Sequence, residues 1–286
     1  MGGVLMSLSA LMDRSTVMDF LDSWGMTLDE LRDLVPAIRP SDTLLLTGSV
    51  NGGLAHRNSV LDMLLIGSGT RSSATGAALS PSASYTLGAG RSVHVRFFAA
   101  EALEQIAATT SRFDEALYEP AALACIPRLS EDTRLLLHEV RVGFGLLNPS
   151  IAQAWREALR VDRLHCYLAF LHLMRHRARL RSAISYTMDG DAETTQWMIR
   201  ESVEELLALV LAAAQETNPR KRWHLRLLRD KEVVVGQESV SRLVAALCTW
   251  RHDIPEYLDE VVALSDDMIA LSARLCTEIV GVLDME

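Results

Sequence analysis

Residues 44–66 run Leu-Leu-Leu-Thr-Gly48-Ser49-Val-Asn-Gly52-Gly53-Leu-Ala-His-Arg-Asn-Ser59-Val60-Leu61-Asp62-Met-Leu-Leu-Ile and hold the parts of a phosphate site. Gly48 lets backbone N–H groups come close to an anion, and Ser49 adds a hydroxyl donor. Asp62 is a hard oxygen ligand of the kind magnesium takes. Alternate side chains of a strand share a face, so Val60 and Asp62 point together into whatever cleft the turn borders. A two-metal centre needs several oxygen ligands around ions roughly 4 Å apart. One aspartate beside a valine falls short of that.

Three strands must position these groups. Leu44–Leu46 is an apolar run suited to a buried strand, and Val60–Ile66 makes a second. Arg91-Ser-Val-His94-Val-Arg96-Phe-Phe98 alternates as a third, followed by a helix over Ala100–Ile106. The whole resembles the opening of the nucleotidyltransferase superfamily, the DNA polymerase β-like fold. In that family an apolar strand leads to Gly-Ser, a glycine-bearing loop, and Ser-Asp-x-Asp on the next strand. The resemblance implies that Gly48, Ser49 and Ser59 hold the phosphates of a nucleotide and that Asp62 is the catalytic, magnesium-holding carboxylate.

The chain departs from that pattern at two places. Val60 stands where the first carboxylate belongs, and the acidic position of the later strand falls on His94 or Arg96. An arginine near Asp62 would pair with it and take the space of a cation. Magnesium is therefore expected only if activity is retained, with Glu101 or Asp42 completing the site; otherwise no cofactor is expected.

The chain divides into a mixed front part and a helical remainder. Apolar spacing predicts a helix over Leu8–Leu21, and Thr27-Leu-Asp-Glu30 is a capping box for a second. Residues 67–91 are dominated by Gly, Ser, Ala and Thr and read as a mobile or poorly ordered connection. From Ser130 onward strand signals nearly vanish. Helices are expected from Glu131, from Asn148-Pro149 through Leu159, over Leu164–Tyr186, from Asp191 through Ala214, and over Glu256–Leu283. The fold class is α+β: a nucleotidyltransferase-like domain with a small mixed sheet over 1–125, then an all-helical domain over 126–286. The resemblance implies a helical domain that closes the cleft.

Two helical segments carry clustered cations. His172-Leu-Met-Arg175-His176-Arg177-Ala-Arg179-Leu-Arg181 places Arg175 and Arg179 on one face, suited to phosphates. A solvated face paired with Glu201, Glu204 and Glu205 accounts for it equally well. In Glu216-Thr-Asn218-Pro219-Arg-Lys221-Arg222-Trp223, Asn218-Pro219 reads as a helix start that aims Lys221 and Arg222 at one place. This stretch resembles a Glu-Thr-Asn-Pro-x-x-Lys-Trp element of bacterial small-molecule nucleotidyltransferase-like proteins, with arginine before the tryptophan. The last helical segment, from His252 to Glu286, carries nine acids, Asp253, Glu256, Asp259, Glu260, Asp266, Asp267, Glu278, Asp284 and Glu286, against Arg274 alone. Its apolar face is wide enough to pack within the domain or to support a homodimer or another protein partner.

Composition narrows the field further. The net charge of −9 disfavours a nucleic-acid partner, which leaves tRNA binding as a minor alternative. No P-loop, nucleophile elbow or His-Glu-x-x-His motif occurs. The cysteines Cys125, Cys166, Cys248 and Cys276 lack metal spacing and read as buried thiols; a metal shared by His165-Cys166, His172 and His176 wants an acidic partner. The uncharged run 72–90 contains Pro81 and is no membrane span, and the start lacks a basic leader, so no membrane association and a cytoplasmic location are expected. The expected function is a catalytically degenerate nucleotidyltransferase-fold protein. It would bind a nucleotide-like or small anionic ligand, or serve as a partner subunit in a biosynthetic or tailoring complex. The rival is an active transferase moving a nucleoside monophosphate to a small molecule.

Overall fold

The computed structural model describes residues 21–22, 25–33, 39–51, 54, 59–67, 82–86, 92–113, 126–249 and 253–283. The expected helix over 8–21 lies outside them apart from Leu21, which is buried. The capping box forms as written: the Thr27 N–H donates to Glu30 Oε2 at 2.7 Å and the Glu30 N–H donates to Thr27 Oγ1 at 3.2 Å, opening α1 (Leu28–Asp33).

The protein is α+β. Five strands, β1 (Thr43–Thr47), β2 (Leu61–Gly67), β3 (Ser82–Thr86), β4 (Ser92–Ala99) and β5 (Phe144–Leu147), form one sheet in the order β3-β4-β2-β1-β5. The β2–β4 pair is parallel and the other three pairings are antiparallel, so the sheet is mixed. Leu44, Leu46, Leu61, Met63, Leu65, Val93, Val95 and Leu146 gather on one face with Leu21, Met26 and Leu31. Each such aliphatic side chain removed from water stabilises the sheet by roughly 1.5–3 kcal/mol. By the alternation of the strands, Asp62, His94 and Arg96 face the other way.

Two strands correct the sequence reading. The connection 67–91 contains β3, an edge strand laddered to β4 with Ser82 opposite Arg96 and Thr86 opposite Ser92. Its Ser-Ala-Ser-Tyr-Thr sequence carries too little apolar alternation to announce a strand, because an edge is held chiefly by backbone hydrogen bonds. The second is β5, a four-residue run whose partner β1 lies about a hundred residues away in sequence.

The described residues up to Ser111 form one compact unit with Asp132–Asp162, and those of Arg112–Glu131 form another with 163–283. A division after residue 125 would separate α4 (Glu131–Val142), β5 and α5 (Pro149–Ala158) from the sheet. The ladder Leu44 to Leu147, Leu45 to Gly145 and Leu46 to Phe144 holds them to it instead. The sheet unit also contains α2 (Gly48–Asn51), a single turn, and α3 (Ala100–Thr110). Asn148 opens α5, although not as a side-chain cap: its Nδ2 donates to the Pro40 and Asp42 carbonyls at 3.0 and 2.7 Å, tying the helix start to the start of β1. Arg156 of α5 donates to the Val140 and Gly143 carbonyls and so closes the end of α4.

The second unit is helical. A hairpin of α6 (Leu164–Met188) and α7 (Ala192–Ala213) turns at Gly190, and Asp191 Oδ1 accepts from the Thr194 N–H at 3.0 Å. Leu206–Ala213 is buried on every side, as expected for a helix apolar all round. Around it stand α8 (Lys221–Asp230), α9 (Glu232–Val235), α10 (Gln237–Cys248), α11 (Ile254–Leu275) and α12 (Val280–Leu283). The sequence predicts one helix to Leu283; the chain instead leaves it at Cys276 in extended conformation. The apolar face of α11, including Tyr257, Val261, Leu264 and Met268, is buried within the unit. Cys166 and Cys276 are buried as expected, whereas Cys248 is exposed and Cys125 lies outside the described residues. Among the described residues, no helix is long and apolar enough to cross a membrane.

Candidate functional site

β1 ends at Thr47, and the chain turns through Gly48 at φ +75 into α2. The antiparallel ladder sets Thr47 opposite Asp62, and the parallel ladder sets His94 opposite Asp62 from the other side. Gly48, Asp62 and His94 therefore meet at one end of the sheet. A Cβ on Gly48 would stand 2.3 Å from Asp62 Oδ2 and 2.8 Å from Asp62 Cβ, so both the backbone conformation and the space require glycine. The Thr47 hydroxyl donates to the Asp62 carbonyl at 3.3 Å.

The Asp62 carboxylate lies 3.5 Å from His94 Nδ1, with the two side chains 26% and 31% exposed, so a ligand can reach both. Two residues further along β4, Arg96 pairs with Glu139 of α4, whose side chain is only 3% exposed. This differs from the expected arginine partner for Asp62. The register explains it: His94 is the direct neighbour of Asp62, while Arg96 is the neighbour of Leu64 and meets the helix covering that face.

The donors at this end do not suit a pair of magnesium ions. Val60 is exposed and apolar, and the strand position beside Asp62 carries an imidazole. Among the described residues, no third acid, histidine or cysteine joins Asp62 and His94 at ligand distance. The two acids that could have completed the site sit elsewhere. Asp42 precedes β1 and lies against Gly67, and Glu101 follows Ala99, which is opposite Gly67. Both are at the far end of β2, about five residues or roughly 16 Å from Asp62.

Ser49 and Ser59 flank this end, both half-buried, and the Ser49 carbonyl accepts from the Leu54 N–H at 2.8 Å. Residues 52–53 and 55–58 of the intervening loop lie outside the described residues. The turn can present N–H and hydroxyl donors to an anion beside the Asp62–His94 pair.

The helical unit gathers a second set of the sequence candidates. Glu205 Oε2 accepts from His172 Nδ1 at 2.6 Å, and Glu205 Oε1 lies 3.9 Å from Arg175 Nη1 and 4.0 Å from Lys221 Nζ. Lys221 also donates to Glu204 Oε2 at 2.7 Å, and Arg179 pairs with Glu201 at 2.8 Å. Arg222 lies over the Trp223 ring, 5.3 Å from its centroid. Burial opposes ionisation of Glu205, but the His172 hydrogen bond and the charges of His172, Arg175 and Lys221 outweigh it and hold the carboxyl below its ordinary range. A phosphate at these cations would have to displace carboxylates. The segment before α8 is not the expected helix start: Asn218 Oδ1 accepts from the Arg220 N–H at 3.1 Å, and the helix begins at Lys221.

His224 completes this cluster, donating from Nε2 to the Asn218 carbonyl at 3.1 Å. Burial, and then the charge of His172, push its pKa down to about 4. The unfolded chain takes up a proton near pH 6.5, while the folded chain does not until about pH 4. The helical unit should therefore lose stability as pH falls through that window, by at most about 3 kcal/mol from His224, whose contribution levels off below it while protonation of Glu205 takes over. His176, also lowered by burial, acts in the same direction. Urea unfolding at pH 7, 6, 5 and 4 checks this; His224→Gln should flatten the slope, and an unchanged slope would contradict the assignment.

Sequence reasoning missed Glu139 and the role of His224, whereas Glu205 was among the acids it set against the His172–Arg181 cluster. Nothing local to Arg96 points to a partner on a later helix. The α6–α7 hairpin does carry a signal, since a short turn forces antiparallel helices to match residues equally far from it. No family model matches the chain, and no curated protein does. Among solved structures, the chain is similar to a nucleotidyltransferase-like protein from Exiguobacterium sibiricum 255-15, with a TM-score of 0.44 and 10% identity, covering 82% of this chain and 71% of that one.

Proposed function

We propose that the protein is a catalytically degenerate, nucleotidyltransferase-like protein that binds a nucleotide-like or other anionic ligand at the Gly48-Ser49 end of its sheet without magnesium. The observation that carries this reading is the Asp62–His94 pairing beneath Gly48: the strand neighbour of the remaining carboxylate is a nitrogen base. A phosphate or carboxylate would take its hydrogen bonds from the Gly48-Ser49 turn and the Ser49 hydroxyl, with His94 as a further donor. The protein then acts as a binding component, alone or as a subunit of a biosynthetic or tailoring complex.

The role of Asp62 separates this reading from an active transferase. Next to an anion, and not holding a metal, its charge is mildly unfavourable. Asp62→Asn should therefore leave nucleotide affinity unchanged or tighten it by up to about fivefold. Calorimetric titration of the variant with ATP checks this. Loss of binding in a folded variant would mean that the carboxylate serves a cation.

A further inference from the structure

The break at Cys276 folds the end of the chain back onto the first turn of α6. The extended Cys276 is followed by a single helical turn over Thr277–Ile279, which sets Cys276 and Glu278 beside His165 and Cys166. The His165, Cys276 and Glu278 donor atoms all lie within 4.8 Å of one another. His165 Nε2 is 3.1 Å from Glu278 Oε2, and Cys166 Sγ is 3.4 Å from His165 Nε2 and 3.9 Å from Glu278 Oε2. This supplies the acidic partner that the sequence around His165-Cys166 lacked.

We propose that the helical unit binds one divalent cation of the zinc type through His165, Cys276 and Glu278, with a water completing the coordination. The choice of ion follows from the donors. Thiolate with imidazole suits zinc, whereas magnesium and calcium take oxygen ligands. Zinc bonds of about 2.0–2.3 Å in a tetrahedron set the ligand atoms roughly 3.3–3.8 Å apart. The His165–Glu278 separation of 3.1 Å already lies close to that range, and the three donor atoms, all within 4.8 Å of one another, would draw together around the ion.

The surroundings agree with this. Arg163 Nη1 donates to Glu278 Oε1 at 2.7 Å, which orients the carboxylate so that Oε2 faces His165, as outer partners of metal ligands do. His165 and Cys276 are buried, while the Glu278 side chain is 41% exposed and leaves an ion a route from solvent. Without a cation, the same contacts amount to a hydrogen bond that ties the end of the chain to α6. The two readings differ in one measurable property, coordination by sulfur.

The test is cobalt(II) spectroscopy on the full chain after chelator treatment, with zinc competition to give affinity and stoichiometry. One equivalent of cobalt with a sulfur-to-cobalt charge-transfer band, displaced by zinc, is expected. The band should vanish in Cys276→Ser and persist in Cys248→Ser, which changes the exposed thiol. If Cys276→Ser fails to fold by circular dichroism, Glu278→Gln decides, with an expected loss of at least tenfold in affinity. Absence of the band in the wild-type protein, a band retained in folded Cys276→Ser, or unchanged affinity in Glu278→Gln would overturn the assignment.

Discussion

Replacing Arg96 with alanine should destabilise the sheet unit by about 3–5 kcal/mol, because it leaves Glu139 buried without its cation. The Glu139 side chain is almost wholly shielded from water by α4 and the sheet, and a lone carboxylate there must be desolvated or take up a proton. The arginine matters here as a counterion more than as a packing element. Arg96→Met combined with Glu139→Leu should therefore recover most of the loss, since apolar groups of similar volume often replace a buried ion pair at little cost. Thermal unfolding of the three proteins checks this, with hydrogen exchange at β4 amides locating the loss in the sheet unit. A single variant within about 1 kcal/mol of wild type would show that Glu139 is solvated after all.

Gly48→Ala should be nearly as damaging and should also abolish the proposed anion binding. Two costs combine. A φ of +75 disfavours an L-residue by roughly 1–2 kcal/mol. The added methyl would collide with the Asp62 Cβ, an atom fixed by the β2 backbone, and such overpacking costs about 1–3 kcal/mol. Gly190→Ala is the control, since Gly190 has φ +74 and nothing within 4 Å of its missing Cβ. It should show the conformational cost alone. If the two variants melt alike, the close packing of Gly48 on Asp62 is not what makes glycine necessary there.

Much of the sheet was legible from residue pattern. Leu44–Leu46, Val60–Ile66 and Arg91–Phe98 are apolar or alternating runs whose greater parts become β1, β2 and β4, and the Thr27 capping box forms as written. What the pattern could not give was pairing over long separations. β5 joins β1 across a hundred residues, Glu139 reaches Arg96, and Glu278 reaches His165, each set by tertiary packing without a local spacing rule. The candidate site was legible as a set of residues, Gly48, Ser49 and Asp62. The register that makes His94, and not Arg96, the neighbour of Asp62 follows only once β2 and β4 are seen to run parallel. The cations of the helical unit were visible too, with Glu201, Glu204 and Glu205 as their carboxylate partners; which cation meets which acid depends on how α6 and α7 align.

Calorimetry of the full chain with ATP, GTP, CTP and UTP, each with magnesium and with excess chelator, followed by mass spectrometry for pyrophosphate and transferred nucleotide, bears most directly on the proposal that the Asp62 end of the sheet binds its ligand without magnesium. Binding of at least one nucleotide with the same affinity in both conditions, and no transfer product, is the expected result. Affinity that appears only with magnesium, accompanied by released pyrophosphate, would contradict it.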